Sequence, residues 1–105
     1  MLARPASIDP LAVMLHAANV VRDRMRKRRL MLTDALVRAL PQVVCPVWGI
    51  WGADDVLYRQ RRELVSWALA EAPDFRSLTM IPQAGHWVQY ERADEANRAL
   101  TAALR

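Results

Sequence analysis

Apolar residues recur at Leu11, Met14, Leu15, Ala18, Val21 and Met25, the spacing of one face of an α-helix. Asp9-Pro10 just ahead of them reads as an N-cap followed by proline at the first helical position, where a missing N–H costs nothing. The pattern predicts a helix from there to about Arg28. Thr33 caps a second, short helix over Asp34 to Leu40, which Pro41 ends. Residues 1–42 are therefore expected to form a helical segment, and residues 43–105 a unit of different character.

The change comes at Cys45-Pro46. Val47-Trp48-Gly49-Ile50-Trp51 is apolar without polar alternation, the mark of a strand buried on both faces, as in a parallel sheet. It stops at the turn signal Gly52-Ala53-Asp54-Asp55. A helix is predicted from about Arg59 to Glu71, broken by Pro73-Asp74. A second strand follows over Arg76 to Ile81 and ends at Pro82-Gln83-Ala84-Gly85-His86. A last helix spans about Ala93 to Leu104, and Tyr90 and Glu91 are assigned to its beginning. Strand, helix, strand, helix implies an α/β arrangement with parallel strands. Both strands then end on one side of the sheet, where open α/β sheets place their ligands. Two strands are few for a sheet, and their apolar faces call for neighbours that this chain does not supply.

Charge changes this picture little. The chain carries +4, and the stretch Arg22–Arg29 alone, with six basic residues and one acid, carries +5. A nucleic-acid-binding domain usually spreads its charge over a face, so the basic run reads better as a solvated helix end than as a phosphate-binding module. One cysteine, Cys45, permits no internal disulfide, and as a small side chain it is expected to be buried. No Cys/His cluster has zinc spacing. No run is long enough to cross a membrane, and the first ten residues contain no apolar signal core. These features leave the cytoplasm as the default compartment, with no membrane or nucleic-acid partner expected.

The chemistry lies in the two loops at the strand ends. A carboxylate beside His86 can accept a hydrogen bond from Nδ1–H, fix the tautomer and leave Nε2 as a base. Spacing alone does not separate this from a helix-capping aspartate and a solvated loop histidine, and Asp54 competes with Asp55 as the acid. The wording around these residues is more specific. PVWGIWGADD resembles the segment of α/β-hydrolases in which a strand ends in Gly-x-x-Asp and the aspartate is the triad acid. AGHWVQYERAD resembles the histidine segment of the same family, in a form closest to its carbon–carbon bond hydrolases and esterase-like members. The resemblance covers Val43 to Arg105 well and residues 1–42 more weakly, as the end of a helical lid.

It implies Asp55 as the triad acid, in register three residues after Gly52, and His86 as the base. It also implies a small-molecule substrate in the intact protein and no metal or organic cofactor. Trp87 either lines the substrate pocket or anchors the loop. The departure is the missing nucleophile: Gly49, Gly52 and Gly85, the only glycines, form no Gly-x-Ser-x-Gly elbow. Cys45 and Ser77 begin the two strands, roughly 20 Å of strand from the loops. Ser66 falls in mid-helix. Ser7 is less constrained but sits in no elbow. The chain thus reads as the C-terminal part of a hydrolase of esters, amides or activated carbon–carbon bonds, inactive alone. The alternative is a non-catalytic remnant, and either form is expected to self-associate through its exposed sheet edge. Trp48 and Trp51 are expected in the sheet core, and His16 as a structural or surface histidine.

Overall fold

A computed structural model describes residues 1–24 and 33–105. A 3-10 turn at Pro5–Ser7 precedes helices α1 (Pro10–Arg22) and α2 (Ala35–Ala39), and a second at Leu40–Gln42 extends α2. Then follow β1 (Val47–Gly52), α3 (Arg62–Ala70), β2 (Phe75–Ile81), a single turn α4 (Val88–Glu91), and α5 (Ala93–Ala103). The chain is of the α/β class: β1 and β2 pair in parallel, from Trp48 opposite Ser77 to Gly52 opposite Ile81. No described helix is long and apolar enough to cross a membrane.

The helix boundaries are set by local chemistry. The Asp9 side chain accepts from Ala12 N–H at 2.8 Å, with Pro10 at the first position of α1, satisfying one of the orphan donors of a helix start. The helix stops at Arg22, before the expected Arg28, because Asp23 is extended; an acid is also misplaced against the negative end of a helix dipole. Met25 and most of the basic run lie outside the described residues. Thr33 Oγ1 accepts from Ala35 N–H at 3.4 Å at the start of α2. α3 begins three residues later than expected, because residues 56–60 form turns held by Asp55.

The core is small. Ile81, Ala84, Val88 and Ala96 form it, with Ile50 packed against them. It lies beneath the carboxyl ends of the strands, where α4 and α5 close over the sheet. Elsewhere large apolar side chains remain in solvent. Leu11, Met14 and Val21, on the apolar stripe of α1, are 49%, 58% and 87% exposed. The helix turns Ala12 inward instead. Periodicity finds the apolar face of a helix but not whether this chain holds a surface to cover it. Trp48 is exposed and Trp51 half-buried, against the expectation of sheet-core residues. Cys45 is exposed too, since it precedes β1 in a segment that no described element covers. A hollow of 510 Å³ runs between the sheet and α5, lined by Trp48, Ser77, Met80 and Ala99. It marks an uncovered sheet face and reaches Ile81 and Pro82 at the end of β2, but not Asp55 or His86.

Candidate functional site

The two strand-end loops are bound to each other residue by residue. Ala53 N–H donates to the Ile81 carbonyl at 2.8 Å and Asp54 N–H to the Ala84 carbonyl at 2.9 Å. Gly52 makes this contact possible. A Cβ there would stand 2.1 Å from the Gly85 carbonyl oxygen and 2.4 Å from that of Ala84. The glycine is needed because another backbone passes where a side chain would be.

Asp54 and Asp55 divide the work of the first loop. Asp54 Oδ2 accepts from Gln83 N–H at 3.1 Å, holding Gln83 at a φ of +56° in the left-handed region. Its other oxygen is 3.8 Å from the Arg62 guanidinium. Asp55 is 2% exposed. Its Oδ1 accepts from Leu57 N–H at 3.0 Å, and its Oδ2 lies 2.8 Å from His86 Nδ1. Asp55 does not cap the following helix, which starts at Arg62 without a side-chain cap; its carboxylate holds the intervening turn and His86 together. An ionised carboxylate only accepts, so this contact puts the ring proton on Nδ1 and leaves Nε2 as an acceptor. The His86 side chain is 37% exposed and borders a cleft of 170 Å³ with Trp51, Asp55 and Gln89. A buried acid orienting a half-exposed imidazole is the arrangement that a general base requires.

Among the described residues no serine, threonine or cysteine bonds to His86. Cys45, Ser66 and Ser77 are exposed on segments remote from the strand-end loops. Ser7 is buried, where its side chain acts on Glu91 rather than on His86. No cluster of three or more metal-ligating side chains occurs among the described residues.

Glu91 is the residue that sequence reasoning missed. Rather than beginning the last helix, Tyr90 and Glu91 end α4, and Arg92 breaks the chain away before α5. The Glu91 carboxylate is buried and accepts from Ala3 N–H at 2.8 and 2.9 Å, Arg4 N–H at 3.0 Å and Gly85 N–H at 2.6 Å. Burial alone would raise its pKa. The backbone N–H groups of Ala3, Arg4 and Gly85, with the Ser7 side chain, outweigh burial and hold it below its ordinary value of 4.5. A carboxyl with a depressed native pKa contributes stability above its unfolded pKa, and the contribution is lost as pH falls through the native value. Denaturant midpoints measured from neutral pH down through the carboxylate range should therefore fall, and fall less steeply in Glu91→Gln. Parallel profiles for the two proteins would remove Glu91 from the acid response.

Trp87 faces away from the dyad cleft. It lines a second, apolar hollow of 340 Å³ with Leu2, Ile8, Ala12 and His16. Its ring centre is 6.2 Å from His16 and 6.1 Å from Tyr90. His16 is thus drawn into a wall of this hollow, though its residue remains exposed overall. The Tyr90 hydroxyl donates to Asp9 Oδ1 at 2.6 Å, tying α4 to the start of α1. That bond lowers the pKa of Asp9 and raises that of Tyr90. No family model, curated protein or solved structure matches the chain, so the site stands on its own geometry.

Proposed function

We propose that this chain is the C-terminal part of an α/β-hydrolase and supplies the acid and the base of its catalytic triad. The observation that carries the reading is the 2.8 Å contact between His86 Nδ1 and a buried Asp55 at the carboxyl ends of two parallel strands. His86 Nε2 takes the proton of an attacking hydroxyl and later returns it to the leaving group, while Asp55 holds the tautomer and stabilises the imidazolium. The nucleophile and the oxyanion donors come from chain outside these 105 residues. The substrate in this reading is an ester, an amide or an activated carbon–carbon compound. The exposed strand faces and open sheet edges belong, in this reading, to surfaces that the remainder of the fold covers.

Turnover of an activated ester such as p-nitrophenyl acetate tests the assignment. The 105-residue chain is expected to show none above background. A longer chain that includes an upstream Gly-x-Ser-x-Gly elbow should be active, and His86→Ala in it should lower kcat/KM by about a thousandfold or more, with His16→Ala retaining turnover. Activity of the short chain that disappears in His86→Ala would sink the claim that it is incomplete. Full activity of the longer chain without His86 would sink the role of the dyad. Alone, the short chain should self-associate through its open edges. Sedimentation is expected to show mass rising with concentration, and a monomer at all concentrations would count against the uncovered-surface reading.

A further inference from the structure

We propose that Glu91 is a positioning residue: its carboxylate joins the Met1–Arg4 segment to Gly85, and this joint holds His86 in reach of Asp55. The inference rests on the reading of Asp55 and His86 as the working pair. It concerns how the histidine is kept in place, which the pair itself does not explain.

The turn that presents His86 is fastened by three of its own N–H groups, each to a different part of the chain. Gln83 N–H goes to Asp54, Gly85 N–H to Glu91 Oε2 at 2.6 Å, and His86 N–H to the Met1 carbonyl at 2.7 Å. The last two are not independent. Glu91 also receives the N–H groups of Ala3 and Arg4, so the carboxylate that fixes Gly85 fixes the strand of backbone whose carbonyl fixes His86. A Cβ at Gly85 would stand 2.4 Å from the Met1 oxygen and 2.7 Å from Ala3 N, so the two backbones are already in contact. The joint calls for a carboxylate in particular. Several converging N–H groups need an acceptor with two oxygens and no donor of its own. The amide of glutamine would turn an NH₂ toward one of them and leave that N–H without a partner.

Asp54 fastens the other end of the turn at Gln83, but no other described side chain joins the Met1–Arg4 segment to Gly85. Tyr90, beside Glu91, ties α4 to Asp9 and touches neither Gly85 nor His86 by any hydrogen bond. Removing the joint should leave the fold's strands paired and free the Gly85–His86 turn to move relative to Asp55. The consequence is read at the imidazole, because the Nδ1–H tautomer is selected by the Asp55 contact.

The test is ¹⁵N NMR of the full chain labelled at histidine, with His16 assigned by substitution. In the parent chain His86 should be in the Nδ1–H form. In Glu91→Gln the ratio of Nδ1–H to Nε2–H should fall about tenfold, the loss of one charge-assisted hydrogen bond. A chain lacking residues 1–4 should show the same fall, and combining the two changes should add nothing further. Tyr90→Phe should leave the ratio unchanged. If Asp55→Asn does not alter the ratio, the pair reading itself fails. If Asp55→Asn alters it while folded Glu91→Gln keeps the parent ratio, the pair stands and the joint is overturned. Should Glu91→Gln not fold, the chain lacking residues 1–4 decides alone: a parent-like ratio there refutes the proposal.

Discussion

Gly52→Ala should destabilise the chain by about 3 kcal/mol, at the upper end of overpacking costs, and should pull His86 from Asp55. The added methyl has no side chain to push aside. It meets the carbonyl oxygens of Gly85 and Ala84 at 2.1 and 2.4 Å, so the second loop must retreat as backbone. That loop is held on this side by Asp54 N–H bonded to Ala84 O and by Gln83 N–H bonded to Asp54, and its retreat strains both bonds. Gly49→Ala is the matched control. Its methyl clashes with the side-chain ends of Leu69 and Leu78, at 2.6 and 2.7 Å, and stands in ordinary contact with the Leu78 Cα at 3.8 Å; the two side chains rotate away at a cost of about 1 kcal/mol. Urea unfolding of both variants, with the His86 tautomer read in each, checks the contrast. Equal costs for the two would show that the loop backbone yields more readily than its hydrogen bonds imply.

Glu91→Ala should cost about 3 kcal/mol. An unsatisfied buried donor costs roughly 1–3 kcal/mol, and this substitution strands the N–H groups of Ala3, Arg4 and Gly85. The Gly85 bond is buried while those of Ala3 and Arg4 are partly buried, so water recovers part of the loss for the latter two. Glu95→Ala removes a carboxylate paired with Arg92, which holds its pKa down at about 2. That pair is only partly buried, and ion pairs open to solvent contribute little, so its loss should shift the urea midpoint far less. A larger shift for Glu95 than for Glu91 would mean that the buried joint contributes less than its hydrogen bonds indicate.

The pattern of the chain shows much of this arrangement and omits a specific part of it. The apolar run Val47–Trp51 and the turn residues after it locate β1 and its end. The same holds for β2 and Ile81. Because both strands lead into helices, they are parallel and their loops meet, which brings Asp55 and His86 to the same end of the sheet. The choice between Asp54 and Asp55 is different. Both are loop carboxylates one residue apart, which spacing alone leaves open; the register after Gly52 implies Asp55 by resemblance, and in the folded turn Asp54 bonds to Gln83 while Asp55 is buried against His86. Helix α1 is a related case. Its periodic stripe is real, but the surface that α1 meets is Trp87 and the first residues of the chain, and these take Ala12 and the His16 side.

The sequence by itself determined the α/β alternation, the strand ends and the residue types that the loops carry there, because these follow from hydrophobic periodicity and turn chemistry within a few residues. Tertiary structure alone decided which face of α1 is covered, and that Glu91 clamps Ala3 and Arg4 to Gly85. Those contacts join residues up to 88 positions apart. Their donors are backbone N–H groups that every residue but proline carries, so no pattern of side chains along the chain announces them.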